Sequence, residues 1–296
     1  MRDIVILDAP SNLGLRPLIE GSVPGCYKAP WALREAGLVA ALNAGEVGVV
    51  VPPRYEASWT PGDGDRNAVA IADYSTRLAD RAAQLFGDSF VLVLGGDCSI
   101  LVGIALALRR GGRYGLAFVD GHSDFRHAGN AEAIVAAAGE DLAIVTGRGD
   151  ERLVDLGGWG PYIRDADVVV LGVREEDDHK AELEELGMSV WSVDRLRSIG
   201  LALALSEVAA DLDRPGLDGF WLHLDVDVLD PGVMPAVDTP TPGGLTIDEL
   251  SVVLGALARS PKAVGMDVCI FDPDLDPSGR YAHSLVPVIG AITGNG

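Results

Sequence analysis

Eight short apolar runs constrain the fold before any single residue is considered: Ile4 to Leu7, Val47 to Val51, Phe90 to Leu94, Gly115 to Val119, Val168 to Val173, Ser189 to Val193, Phe220 to Leu224 and Ala263 to Val268. Each is nearly continuous rather than alternating, the pattern of a strand covered on both faces of a parallel sheet. Helix-like stretches separate most of them: Ala29 to Leu42, Asn67 to Leu85, Ile100 to Arg109, Asp177 to Leu186, Leu201 to Leu212 and Ile247 to Arg259. Thr246, with Glu249 three residues on, reads as a capping box opening the last of these. The βαβα order implies right-handed crossovers and an α/β sheet with helices on both sides. The chain of 296 residues shows no repeat, low-complexity tract or linker, so one domain over 1–296 is expected.

The formal charge of −21, with lysine only at Lys28, Lys180 and Lys262, excludes the basic patches that bind nucleic acid or an anionic membrane surface. No apolar stretch approaches the length of a membrane span. The N-terminal run is too short for a secretory signal and carries Asp3 and Asp8. Three scattered cysteines, Cys26, Cys98 and Cys269, do not form a disulfide framework and fit a reducing cytoplasm.

In open α/β sheets ligands bind beyond the carboxyl ends of the strands, and three of the strand ends here release unusual polar residues. "FVDGHSDF" supplies Asp120, His122 and Asp124, "LHLDVDVLDP" supplies His223, Asp225 and Asp227, and "GGDCSIL" supplies Asp97 and Cys98. In each of the first two, alternate spacing on an extended backbone points the three side chains to one side. So many aspartates in one crevice repel one another and lose hydration unless cations compensate. Shared carboxylates can bridge two divalent ions about 3.5–4 Å apart, with a water between them that ionises near neutral pH. Cys98 by itself has two readings, a small buried residue or a ligand. His127, His179 and His283 read as surface or supporting residues.

GGDCS (95–99), DGHSD (120–124), DVDVLDP (225–231), GGLT (243–246) and the opening from Pro24 to Leu38 together resemble the ureohydrolase family, which includes arginase, agmatinase and formimidoylglutamase. The resemblance spans essentially the whole chain. It implies a three-layer α/β/α fold with an eight-stranded, mostly parallel sheet and a binuclear manganese site. Carried over by position, one ion would be held by Cys98, Asp120, Asp124 and Asp225, and the other by Asp120, His122, Asp225 and Asp227. A hydroxide between the ions would attack the guanidino or amidino carbon while Asp124 relays the proton to the departing amine. Family members are often homo-oligomers.

The chain departs from the family pattern at several positions. A thiolate stands at Cys98 in place of histidine, which favours zinc, iron or cobalt relative to manganese. Ile270, in "DVCIFDPDLDP", stands where arginase and agmatinase carry a glutamate that grips the guanidinium, so Asp272 or Asp274 is expected to supply a carboxylate instead. "AAGEDLAIVTG" replaces the segment with the proton-shuttling histidine and brings Glu140 or Asp141 toward the site. His223 is a proton relay, a partner supporting a metal ligand, or a satisfied strand histidine. Arg126 and Asp177 match positions that hold the α-carboxylate and α-amino group of an amino acid. The expected activity is hydrolysis of a small guanidino or amidino compound, such as arginine, N-hydroxyarginine or an agmatine-like amine. Formimino hydrolysis, a silent metal-binding relative and a deacetylase on a related fold are the alternatives.

Overall fold

The computed structural model describes residues 3–19, 21–87 and 89–294. In chain order the regular elements are β1 (Ile4–Ala9), α1 (Ala29–Glu35), α2 (Leu38–Leu42), β2 (Gly45–Val49), α3 (Ala68–Ala82), β3 (Phe90–Gly95), α4 (Ile100–Gly111), β4 (Tyr114–Val119), α5 (Asp141–Val145), β5 (Val168–Leu171), α6 (Lys180–Glu185), β6 (Ser189–Trp191), α7 (Val193–Ile199), α8 (Leu201–Leu212), β7 (Gly219–Asp225), α9 (Ile247–Ala258), β8 (Ala263–Cys269) and α10 (Arg280–Gly290), with short 3₁₀ turns between some of them. The strands form one eight-stranded sheet in the order β2-β1-β3-β8-β7-β4-β5-β6. Every pairing is parallel.

Apolar continuity marks the central strands: all of β3 and β7 is buried, while β2, at one edge, is largely exposed. Helices pack around the sheet, with α3 against α4 and α9 against α8 and α10. Three expected helices come out shorter. Ala29 to Leu42 is broken after Glu35, because Gly37 adopts a left-handed φ of 95° that a continuous helix does not contain. Asn67 has a left-handed φ of 55° and stands before α3 rather than within it. Asp177 stays outside α6, its carboxylate accepting from the amides of Ser123 and His179. The Thr246–Glu249 capping box forms at the start of α9.

Candidate active site

Four adjacent central strands, β3, β8, β7 and β4, end side by side, and the polar residues gather there. The Gly95–Gly96 pair turns the chain out of β3. A Cβ on Gly96 would lie 1.8 Å from the Ser11 carbonyl oxygen, so this close approach of two backbones excludes any side chain. Asp97 beyond it is structural: Ser11 Oγ donates to its carboxylate at 2.7 Å and the Ser99 amide at 2.8 Å.

Asp120, His122 and Asp124 do converge, but extended alternation is not the cause. β4 ends at Val119. The chain then turns, with the His122 amide donating to Asp120 Oδ1 at 2.7 Å and Asp124 held at a left-handed φ of 41°. The second triplet behaves alike, since Asp225 ends β7 and Asp227 lies in a 3₁₀ turn whose amide donates to Asp225 Oδ1 at 2.7 Å. An aspartate that folds its carboxylate back onto the amide two residues on makes a tight Asx turn, and these turns bring Asp120, His122 and Asp124 to Asp225 and Asp227.

Two groups of closely spaced ligand atoms result, Asp120 with His122 and Asp227, and Asp120 with Asp124 and Asp225, so Asp120 is common to both. His122 Nδ1 lies 3.0 Å from Asp227 Oδ2, and its Nε2 is 2.9 Å from Thr241 Oγ1. Arg174, missed in the sequence, is buried behind Asp227 and donates to the carbonyls of Asp227 at 3.0 Å and Thr241 at 2.7 Å, fixing the loop that carries both. Its signal was a lone arginine directly after the β5 segment.

The electrostatics call for cations. Burial, then the charges of Asp124, Asp225 and Asp227, push Asp120 well above the usual carboxylate range. Burial and neighbouring carboxylates do the same to Asp124 and Asp225. Burial alone would hold His122 neutral, yet its hydrogen bond to Asp227 and the charges of Asp227 and Asp124 raise it to about 9. Asp120 Oδ2 is buried and meets no hydrogen-bond donor among the described residues. An orphaned oxygen on a carboxylate common to two ligand groups fits a pair of divalent ions, which would reverse these shifts.

A cavity of ≈ 530 Å³ opens onto this cluster. Asp124, Asp225, Asp227 and Asp238 line it with His122 and Ile270, and Arg16, Arg126, Asp177 and Asp178 line it as well. Asp225 and Asp227 are buried whereas Arg16 and Asp178 are exposed, so the ligand carboxylates mark the inner end. Ile270 holds a left-handed φ of 74°, a strained conformation for a β-branched residue. Asp238, also missed in the sequence, sits in the Pro-rich loop after β7, and burial followed by the Asp227 charge lifts it to about 6.

Three of the expected catalytic or substrate residues lie elsewhere. Glu140 does not line the cavity: its Oε1 accepts from the Val135 and Ala136 amides at 2.8 and 3.2 Å, and it pairs with Asp65, which burial and the Glu140 charge lift to about 9. Asp272 is likewise consumed, accepting from the amides of Gly25 at 3.0 Å and Asp274 at 2.8 Å, and Asp274 itself pairs with Lys28 at 2.6 Å. His223 is fully buried within the sheet, where its Nδ1 meets Asp267 Oδ2 at 2.6 Å. Cys98 is buried too, its thiol donating to Asp225 Oδ2 at 3.1 Å.

Comparison with known proteins gives this arrangement a context. A model of the Arginase family matches residues 2–293. Arginase from Bacillus caldovelox is 30% identical across 99% of both chains, and arginase from Brevibacillus brevis is 28% identical across 99% of this chain and 98% of its own. The solved structure of the Bacillus caldovelox enzyme superposes with a TM-score of 0.89, at 30% identity, over 100% of this chain and 99% of that one. Among the described residues no helix is long and apolar enough to cross a membrane.

Proposed function

The chain belongs to the arginase family of binuclear metal hydrolases, which cleave amidino C–N bonds, and from that premise we propose that it hydrolyses a small cationic guanidino or amidino compound of the arginine, N-hydroxyarginine or agmatine type. The observation that carries this reading is the polarity of the cavity, with buried carboxylates at its inner end and Arg16, Arg126, Asp177 and Asp178 also lining it. An amidinium is a planar cation with several N–H donors and suits the acidic end, while a carboxylate on the same substrate suits an arginine.

Asp120, Asp124 and Asp225, with Cys98 against Asp225, would hold one ion, and Asp120, His122, Asp225 and Asp227 the other. When bound, the ions compensate the clustered carboxylates and make a water acidic enough to supply its oxygen near neutral pH. Manganese follows from the family, and the Cys98 thiol tilts the choice toward zinc, iron or cobalt. Asp124, opening on the cavity, takes a proton from the attacking water and delivers it to the nitrogen as the C–N bond breaks and the C–O bond forms, so urea or a related product leaves with a free amine. Asp238 faces the same space and supplies the carboxylate that Ile270 lacks.

The absence of a carboxylate at Ile270 favours a second reading, formimino hydrolysis, in which the substrate carries one nitrogen fewer for that position to hold. The test is a panel of guanidino, amidino and formimino compounds on metal-loaded protein, reading urea, formamide and ammonia, with Asp124→Asn and Asp238→Asn beside wild type. The proposal expects urea from a guanidino compound, a kcat loss of about 10²–10⁴ in Asp124→Asn, and a raised KM in Asp238→Asn. Formamide alone would shift the assignment to the second reading. No product from any member would refute both.

A further inference from the structure

Beneath the cavity, one face of the sheet carries a buried polar ladder of which the proposed reaction uses only Asp225. β7 and β8 pair Trp221 with Gly265, His223 with Asp267 and Asp225 with Cys269, and β4 sets Phe118 beside His223. Asp267 accepts from Trp221 Nε1 through one oxygen and from His223 Nδ1 through the other. Phe118 stacks on the imidazole with centroids 4.9 Å apart and fixes its plane. With Nδ1 donating to Asp267, the ring turns Nε2 to its opposite side.

His223 Nε2 faces Asp141 Oδ2 at 3.6 Å. Both atoms are buried and have no hydrogen-bond partner among the described residues, although both side chains are fully enclosed. The other Asp141 oxygen accepts from the Leu142 amide at 2.8 Å. The gap is too long for a hydrogen bond. It matches two ligands of a single tetrahedral ion, because bonds of about 2.0–2.3 Å set ligand atoms roughly 3.3–3.8 Å apart. Cys98 Sγ completes the group, lying with His223 and Asp141 ligand atoms all within 4.8 Å of one another. The neighbouring grouping of His223, Asp267 and Cys269 is on the Nδ1 side, already filled by hydrogen bonds.

We propose that Cys98, His223 and Asp141 form a further buried site for a divalent cation of zinc type, one layer inside the pair assigned to the reaction. A thiolate and an imidazole beside carboxylates select zinc, cobalt or iron over manganese. Charge balances locally, since one thiolate and the Asp141 carboxylate neutralise a divalent ion. Cys98 is then the thiolate of the inner position, and the outer ion next to it keeps Asp120, Asp124 and Asp225. The inference takes Cys98 from the outer ion assigned above to the inner one, and rests on that assignment only for the identity of the outer pair.

The decisive experiment is X-ray absorption and metal counting on full-length, zinc-loaded protein. The expected result is a sulfur scatterer at about 2.3 Å and about three ions per chain, with Asp141→Asn and His223→Gln each losing the sulfur signal and one ion while the outer two remain. Histidine ring ¹⁵N shifts of wild-type protein, recorded as zinc is added, supply a reading that needs no variant: His223 Nε2 moves while Nδ1 stays protonated. Sulfur coordination that persists in both variants, or a His223 signal indifferent to zinc, overturns the inner site and returns Cys98 to the outer pair, with the hydrolase assignment untouched. Loss of activity in Asp124→Asn tests that assignment separately.

Discussion

Replacing Gly265 by alanine tests whether the ladder beneath the site is held by close packing. A Cβ there would lie 2.3 Å from Trp221 Cζ3 and 2.4 Å from the Val91 carbonyl oxygen. Both lie far inside van der Waals contact, and the second belongs to the backbone of β3, which is bonded in register to β8. Neither can retreat cheaply. Overpacking of this kind costs about 1–3 kcal/mol. Displacing Trp221 also breaks the bond from its ring N–H to the buried Asp267 carboxylate, worth about 1.5–3 kcal/mol because the acceptor is charged. The expected loss is the sum, about 2.5–6 kcal/mol, a large part of the stability of an ordinary domain. Gly290→Ala is the matched control: φ is −56° and nothing lies within 4 Å of the new atom, so stability should rise by about 0.4–1 kcal/mol. Urea unfolding followed by tryptophan fluorescence measures both. A Gly265→Ala midpoint within about 1 kcal/mol of wild type, measured against the packing cost, would refute the claim that this contact positions Trp221, Asp267 and His223.

Three further outcomes are expected. Asp272→Ala removes the acceptor for two amides and should lower stability by about 0.5–2 kcal/mol with KM unchanged, whereas a rise in KM would restore Asp272 to substrate binding. Asp65, lifted to about 9 by burial and the Glu140 charge, binds more protons folded than unfolded, so its contribution is fully present below the ordinary carboxylate value and lost as pH climbs toward about 9. Asp65→Asn should therefore flatten the fall in unfolding free energy over that range, and an unchanged slope would show that Asp65 is not the group responsible. Stripping metal with a chelator should lower the melting temperature, because the carboxylates around Asp120 lose their counter-charge, and adding metal back should restore it. A melting temperature indifferent to chelation would count against ions in the cluster.

The continuous apolar runs determined the strands and the parallel sheet, since burial on both faces leaves no room for alternation, and even the edge strand was found although it is exposed. The strand ends also determined which residue types meet. Asp120, His122, Asp124, Asp225 and Asp227 gather where chain order and the parallel sheet bring β4 and β7 side by side. What the tertiary structure decided was direction. Beyond a strand end no period governs where a side chain points. The left-handed turn at Asp124 and the 3₁₀ turn at Asp227 did what alternation was expected to do. Glu140 and Asp141 are adjacent in sequence, yet one turns to Asp65 and the amides of Val135 and Ala136 while the other meets His223. Asp272 looked like a substrate group and became a cap, because the nearest unsatisfied donors were backbone amides. His223 faces Asp267 only because β7 and β8, distant in sequence, pair in one particular register. A buried carboxylate or imidazole takes its role from the partner across from it, and that partner is fixed by the packing of strands, which local sequence does not contain.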